Sequence, residues 1–280
     1  PRSTPLYSSA ASDVYKRQAY YKIKSLTNDE KQKGVVAASA GNHSQGVAYA
    51  SYLENISCTI VMPKNASPAK VAATKAYGAK VILDGLTYDE SWTSAQKISE
   101  DTGATIIHAF DDPEIICGQG VIGLEILEDL PDVDEIYVPI GGGGLAAGII
   151  TAVKQQKPSV RIIGVESSSF PAMKKSIDTG EVQTVDGKYT IADGISVKTP
   201  GQLTFEIIKN NIDEIVTVDD SDIIKAMFLL MERNKSVVEP AGVVGLAYLL
   251  SKKPSSNKKV VPILCGGNIC LLYTSDAADE

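Results

Sequence analysis

Basic clusters, long apolar runs, paired cysteines and histidines are all scarce in this chain, and each scarcity removes a class of function. The 280 residues carry 27 Lys and Arg against 34 Asp and Glu, a formal net charge of -7. No segment concentrates Lys and Arg as a phosphate-backbone surface requires, so nucleic acid is not an expected partner. No apolar run approaches the roughly 18 residues of a membrane helix, and no leading basic-apolar-small pattern marks a secretory signal. The expectation is a soluble, cytoplasmic protein with no membrane partner. The four cysteines, Cys58, Cys117, Cys265 and Cys270, form no C-x-x-C pair, which speaks against a zinc knuckle or a disulfide framework. Cys58 and Cys117 read as small buried hydrophobes. Two histidines, His43 and His108, are too few for a His-built cluster, and no metal is expected. Small molecules remain as the expected partners.

What is present is ordinary globular material in a regular order. Hydrophobic residues make up 44% and charged residues 22%, and a chain this long fits two compact domains better than one. The ends stand apart. Residues 1–18 show no periodicity before a helix-like run opens at Ala19, and 270–280 closes in an acidic, Ala-rich tail, so both read as non-native segments. From Gly34 short apolar runs alternate with amphipathic ones. Strands are expected at 35–39, 58–62, 80–83 and 104–107, with helices from about His43, Ser67 and Thr87 and another over 113–130. The order resumes with strands at 135–140, 161–165, 214–218 and 259–264, helices at 146–153, from Asp220 to about Asn234 and from Pro240, and an irregular stretch up to about Gln202. This is the βαβα pattern of parallel sheets covered by helices, divided into two near residues 110–120.

Three turns stand at the carboxyl ends of expected strands, where open parallel sheets bind ligands, and together they point to one shared cleft. In Gly141-Gly142-Gly143-Gly144-Leu145, glycines let backbone N–H groups converge while the following helix adds partial positive charge, which makes a phosphate cradle; glycine runs also make plain tight turns. Gly142-x-Gly144-x-x-Ala147 equally satisfies a dinucleotide fingerprint, with Glu166 ending the next strand where a ribose-binding acid belongs. In Ser39-Ala40-Gly41-Asn42-His43, Ser39, Asn42 and the helix N–H groups suit a carboxylate, yet Ser and Asn are also ordinary N-caps. His43 reads as a packing or orienting residue rather than a base. Cys265, in Cys265-Gly-Gly-Asn268, is either an inert core thiol or a hydrogen-bond partner for a ring nitrogen.

Taken together these turns resemble those of the fold-type II pyridoxal-phosphate enzymes, most closely the threonine/serine dehydratases (threonine ammonia-lyases), over about Ala19 to Ile269. Gly118-Gln-Gly120, Ile191-Ala-Asp-Gly194 and Val238-Glu-Pro-Ala-Gly242 are further family-like stretches. The resemblance implies an α/β, tryptophan synthase β-like fold with two parallel-rich, helix-covered sheets. It implies a small domain over 34–111 and a larger cofactor domain over 19–33 and 112–269. It also implies pyridoxal 5'-phosphate as cofactor, an amino-acid substrate, a homo-oligomer (dimer or tetramer) and a place in amino-acid metabolism such as isoleucine biosynthesis. Gly141, Gly142, Gly143, Gly144 and Leu145 would hold the phosphate, Asn42 the 3-hydroxyl and Cys265 the ring nitrogen. Ser39, Ala40, Gly41, Asn42 and His43 would receive the substrate carboxylate. The implied reaction removes the Cα proton, expels the β-hydroxyl with the cofactor phosphate as acid, and ends in a 2-oxo acid, 2-oxobutanoate from L-threonine, and ammonia.

Departures from the family's pattern qualify that expectation. The family's cofactor-anchoring lysine lies in Ser-Phe-Lys-x-Arg-Gly-Ala, and this chain reads Asp13-Val-Tyr-Lys-Arg-Gln-Ala19. With Arg17 and Ala19 aligned, Tyr15 holds the lysine position. Lys16, the catalytic candidate, comes one residue late, about 100° away around a helix. The chain is therefore expected to be inactive or nearly so. The related serine racemases carry a second Ser where Ala40 stands, and at the positions of their divalent-cation site this chain has Glu166, Phe170 and Ala172. Cysteine-synthase-like relatives carry Thr and no His in the substrate turn. The readings left beside the dehydratase are these relatives, a nicotinamide-dependent oxidoreductase built on 142–147, and a binding protein without catalysis.

Overall fold

The computed structural model describes residues 6–252 and 257–267, with side chains from Lys16 onward. Asn268, Ile269, the 270–280 tail and the Tyr15 side chain lie outside the described residues. Helices α1 (Leu6–Ser25) and α2 (Asn28–Lys33) lead into β1 (Val35–Ala38). Then follow α3 (Asn42–Leu53), β2 (Cys58–Met62), α4 (Pro68–Ala76), β3 (Lys80–Leu83), α5 (Tyr88–Thr102) and β4 (Thr105–Ile106). After α6 (Pro113–Asp129) come β5 (Glu135–Pro139), α7 (Gly144–Gln156), β6 (Arg161–Ser167), α8 (Ala172–Thr179) and α9 (Gln202–Lys209). The described chain closes with β7 (Glu214–Val218), α10 (Asp220–Leu229), a π-helical turn over Leu230–Asn234, α11 (Val244–Lys252) and β8 (Val260–Pro262).

Local chemistry explains many of these boundaries. Thr27 and Glu30 form a reciprocal capping box at α2. Thr87 accepts the Glu90 N–H at the start of α5, and Gly103, in a left-handed conformation, ends that helix. Asp112 accepts the N–H groups of Glu114 and Ile115 while Pro113 occupies the first turn of α6. β1 and β5 are buried along their whole length, as expected of parallel strands covered on both faces.

The first sheet has the order β3-β2-β1-β4 and the second β7-β6-β5-β8, and every strand pair is parallel. Each sheet therefore winds outward from one strand and returns to that strand's other side, which puts a topological switch between β1 and β4 and another between β5 and β8. Ala19 and Ile23 of α1, with Leu26 just after it, pack with β1, β2, α3 and Ile115 of α6, so the first helix is seated on the first sheet's core. Ile136, Val138, Ile149, Ile150, Ile162 and Phe205 centre the second core.

Three local expectations are corrected. The helix expected from Ala19 begins at Leu6. The stretch expected to be irregular holds α8, a short segment with five polar or charged residues among its eight that buries only Ala172, Met173 and Ser176. Cys117 is exposed rather than buried, because α6 turns Ile116, Gly120 and Gly123 inward and leaves Cys117 on the open side. Cys58 is buried as expected, with its thiol pushed up to about 12 by burial. Among the described residues no helix is long and apolar enough to cross a membrane.

Candidate functional site

A cavity of about 590 Å³ opens where the carboxyl ends of the two sheets face each other, and all three sequence-singled turns line it. Ser39, Ala40, Gly41, Asn42 and His43 come from the end of β1, Gly141 to Leu145 from the end of β5, and Cys265 from beyond β8. The two topological switches account for this convergence, since each leaves its turns uncovered by a crossover helix.

The glycine turn is enclosed on its protein side. Gly143 has φ 99°, a conformation L side chains rarely adopt, and serves as the N-cap of α7 without any side-chain cap. A Cβ on Gly142 would lie 2.3 Å from the Phe110 ring. The first N–H groups of α7 have no intrahelical acceptor and carry the positive end of the helix dipole, so the turn offers an anion site.

The turn after β1 is shaped by its own side chains. Ser39 Oγ accepts the Gly41 N–H at 3.2 Å, and Ser44 Oγ donates to the Gly41 carbonyl at 2.6 Å. The N-cap of α3 is Gly41 and no side chain caps the helix, so the capping role open to Ser39 and Asn42 is not the one they take. Asn42 Nδ2 instead donates to Glu239 Oε1 at 2.6 Å, across from the first sheet to the second.

His43 is buried, and its surroundings determine its proton. Its Nε2 lies 3.1 Å from the Ile107 carbonyl, which only accepts, so the proton sits on Nε2 and Nδ1 accepts from Gln18 Nε2 at 3.1 Å. Gln119 Nε2 then donates to Gln18 Oε1 at 2.5 Å. Burial pushes His43 down to about 4, leaving a neutral ring near neutral pH that orients its neighbours. Gln18 was not singled out from the sequence, although it lines the cavity where the family motif has Gly. Phe110 was missed for another reason: it reaches the cavity only through tertiary packing, as does Glu239, which the sequence marked only as part of the 238–242 stretch.

Cys265 is buried and its thiol is pushed up to about 12, first by burial and then by the nearby Glu239 charge, so it is a neutral thiol. Lys16 is not among the residues lining the cavity; its Nζ lies 4.9 Å from the centre of the Tyr49 ring. The lysines in the wall are Lys70, paired with Asp193 at 3.1 Å, and Lys198. Glu166, the acid that a dinucleotide reading requires, is fully buried and turned to α8, accepting the N–H groups of Met173 at 2.8 Å and Lys174 at 2.9 Å. Burial raises its carboxyl to about 7. It does not line the cavity.

Comparison with known proteins agrees with this geometry. Residues 14–266 match the family model described as pyridoxal-phosphate dependent enzyme. An L-threonine ammonia-lyase of Thermotoga maritima is 49% identical over 253 residues, which cover 90% of this chain and 63% of that protein. The chain thus spans less than two thirds of that relative's length. The processed form of threonine deaminase isoform 2 from Solanum lycopersicum aligns with a TM-score of 0.90 at 37% identity, over 95% of this chain and 74% of that one. Maize serine racemase aligns with a TM-score of 0.88 at 36% identity, over 95% of this chain and 83% of that one.

Proposed function

The chain belongs to the pyridoxal-phosphate dependent enzyme family, and from that premise we propose that its cavity serves the removal of water from a β-hydroxy amino acid. L-Threonine, the substrate in the name of the Thermotoga L-threonine ammonia-lyase, or L-serine would leave as a 2-oxo acid and ammonia. The observation that carries this reading is the meeting of an anion cradle, a carboxylate-sized turn and a neutral thiol around one cavity. A homo-oligomeric, cytoplasmic enzyme is the form we expect for it.

The residues fit the cofactor at its phosphate and its ring, and not at its covalent anchor. The Gly141–Leu145 turn would hold the phosphate by backbone N–H groups, with the Phe110 ring packed where a side chain at Gly142 would stand. Asn42, steadied by Glu239, would meet the ring hydroxyl. Cys265, a neutral thiol, would serve the ring nitrogen without fixing a charge there. When bound, pyridoxal phosphate supplies the electron sink that makes Cα proton loss feasible. The N–H groups opening α3, with Ser39 alongside, would orient the substrate carboxylate, and His43 would keep that turn in place through Gln18 and Ile107. Ala40 has no proton to deliver to the opposite face of Cα, which favours elimination over racemisation. Lys16, packed on Tyr49 and outside the cavity wall, would serve neither as the anchor nor as the base.

Reconstitution with pyridoxal phosphate, borohydride reduction and peptide mapping test this directly. The chain as it stands should show no label on Lys16 and background formation of 2-oxobutanoate. The double substitution Tyr15→Lys with Gln18→Gly, which restores the family's spacing, should gain both a label at position 15 and turnover. Labelling of Lys16 with turnover would overturn the register argument. A double variant that binds the cofactor yet releases no 2-oxo acid would overturn the proposed reaction.

A further inference from the structure

The glycine turn is gripped from outside the cavity by α9. The Gly142 carbonyl accepts from Thr204 Oγ1 at 2.6 Å and from the Gly201 N–H at 3.2 Å. Thr204 Oγ1 also lies 3.1 Å from the Gly201 carbonyl, but a hydroxyl has one proton and the shorter contact takes it. Thr204 is fully buried, and Asp111 fixes the start of its helix by accepting the Gln202 N–H through Oδ2 and the Thr204 N–H through Oδ1, both at 3.1 Å.

A trans peptide points its carbonyl and the following N–H to opposite sides, and no described peptide is cis. Thr204 and Gly201 are not part of the cavity wall, whereas Gly142 and Gly143 are. Holding the Gly142 oxygen toward α9 therefore turns the Gly143 N–H toward the cavity. The grip also requires the bare backbone at position 143, where a Cβ would come within 2.8 Å of Thr204 Oγ1.

We propose that Thr204 is a positioning residue for anion recognition: its hydroxyl sets the orientation of the Gly142–Gly143 peptide, and so the affinity of the turn for a phosphate monoester. The inference rests on the reading of this turn as the phosphate site. It makes no claim that Thr204 touches the ligand.

Binding of pyridoxal phosphate and of phosphate-free pyridoxal to the whole chain, followed by titration calorimetry, separates this role from a merely structural one. Thr204→Val keeps the side-chain shape and should weaken pyridoxal phosphate by about tenfold, the loss of one neutral hydrogen bond, with pyridoxal changed by less than about twofold. Thr204→Ser should restore phosphate affinity to within about threefold of the parent chain. If Thr204→Val does not fold, Thr204→Ala against Thr204→Ser gives the same contrast. A parent chain that binds both probes equally sinks the phosphate reading of the turn and this inference with it. A parent preference that survives intact in the folded variant lacking the hydroxyl, or an equal loss for both probes, sinks the role of Thr204 alone.

Discussion

The turn after β1 and the turn after β5 occupy equivalent places, each ending a buried parallel strand and opening a helix, yet their glycines are held in opposite ways. A Cβ on Gly41 would meet nothing within 4 Å, and the turn takes its shape from Ser39 and Ser44, both within three residues of it. At Gly142 and Gly143 the space is closed by Phe110, Met173 and Thr204, which arrive from distant parts of the chain. One turn is shaped by its own side chains and open toward the cavity. The other is a mould pressed from behind, rigid because interiors pack densely and leave little room to give. A rigid turn suits a permanent phosphate, and an open one suits a substrate that enters and leaves.

The sharpest way to break this contrast is an alanine at each glycine. Gly142→Ala must displace the Phe110 ring from 2.3 Å, and should cost about 3 kcal/mol of stability by overpacking together with most of the affinity for pyridoxal phosphate. Urea denaturation and calorimetry read the two effects; a variant as stable as the parent would mean that the mould yields. An intermediate effect separates the buried ionisable groups of the two halves. His43 titrates at about 4 in the folded chain against an ordinary 6.5, so the stability it lends is present above pH 6.5 and lost as pH falls through 4. Glu166 titrates at about 7 against 4.5, so its contribution is present below pH 4.5 and lost as pH rises through 7. Between those limits the two oppose each other by about 2 kcal/mol each. Glu166→Gln should therefore expose an acid-side loss of about 2 kcal/mol between pH 6.5 and 4.5 that the parent masks, and identical pH slopes for the two proteins would contradict it. The smallest effect belongs to Gly41→Ala, which should change the unfolding free energy read by urea denaturation by less than about 0.5 kcal/mol; a loss above about 1 kcal/mol would show that this turn is moulded too.

The elements that sequence reasoning located best are those whose signals are local. Strands 58–62, 80–83 and 214–218 match in full, because short apolar runs bounded by turn residues leave little freedom in placing a strand. Ser67 with Pro68, and Thr87, mark helix starts by chemistry within one turn. Helix α8 was not legible, since five of its eight residues are polar or charged and its N-terminal N–H groups are satisfied by Glu166, which precedes it by six residues. Cys117 was misread because an apolar residue on a helix is inside or outside according to where α1 and α7 pack, which its neighbours in sequence do not state.

The cavity divides along the same line. By itself the sequence determined the alternation of strands and helices, the glycines that only certain backbone shapes require, and the one-residue displacement of Lys16, because each depends on spacing along the chain. Only the tertiary structure decided that the three turns share one cavity, that Glu166 serves α8 rather than a ligand, and that Gln18, Phe110 and Thr204 complete the surroundings of the site. Those outcomes depend on which sides of the two sheets face each other and which helices press on each turn. Contacts between residues 32 and 62 positions apart, as at Phe110 with Gly142 and Thr204 with Gly142, leave no periodic mark in the sequence that makes them.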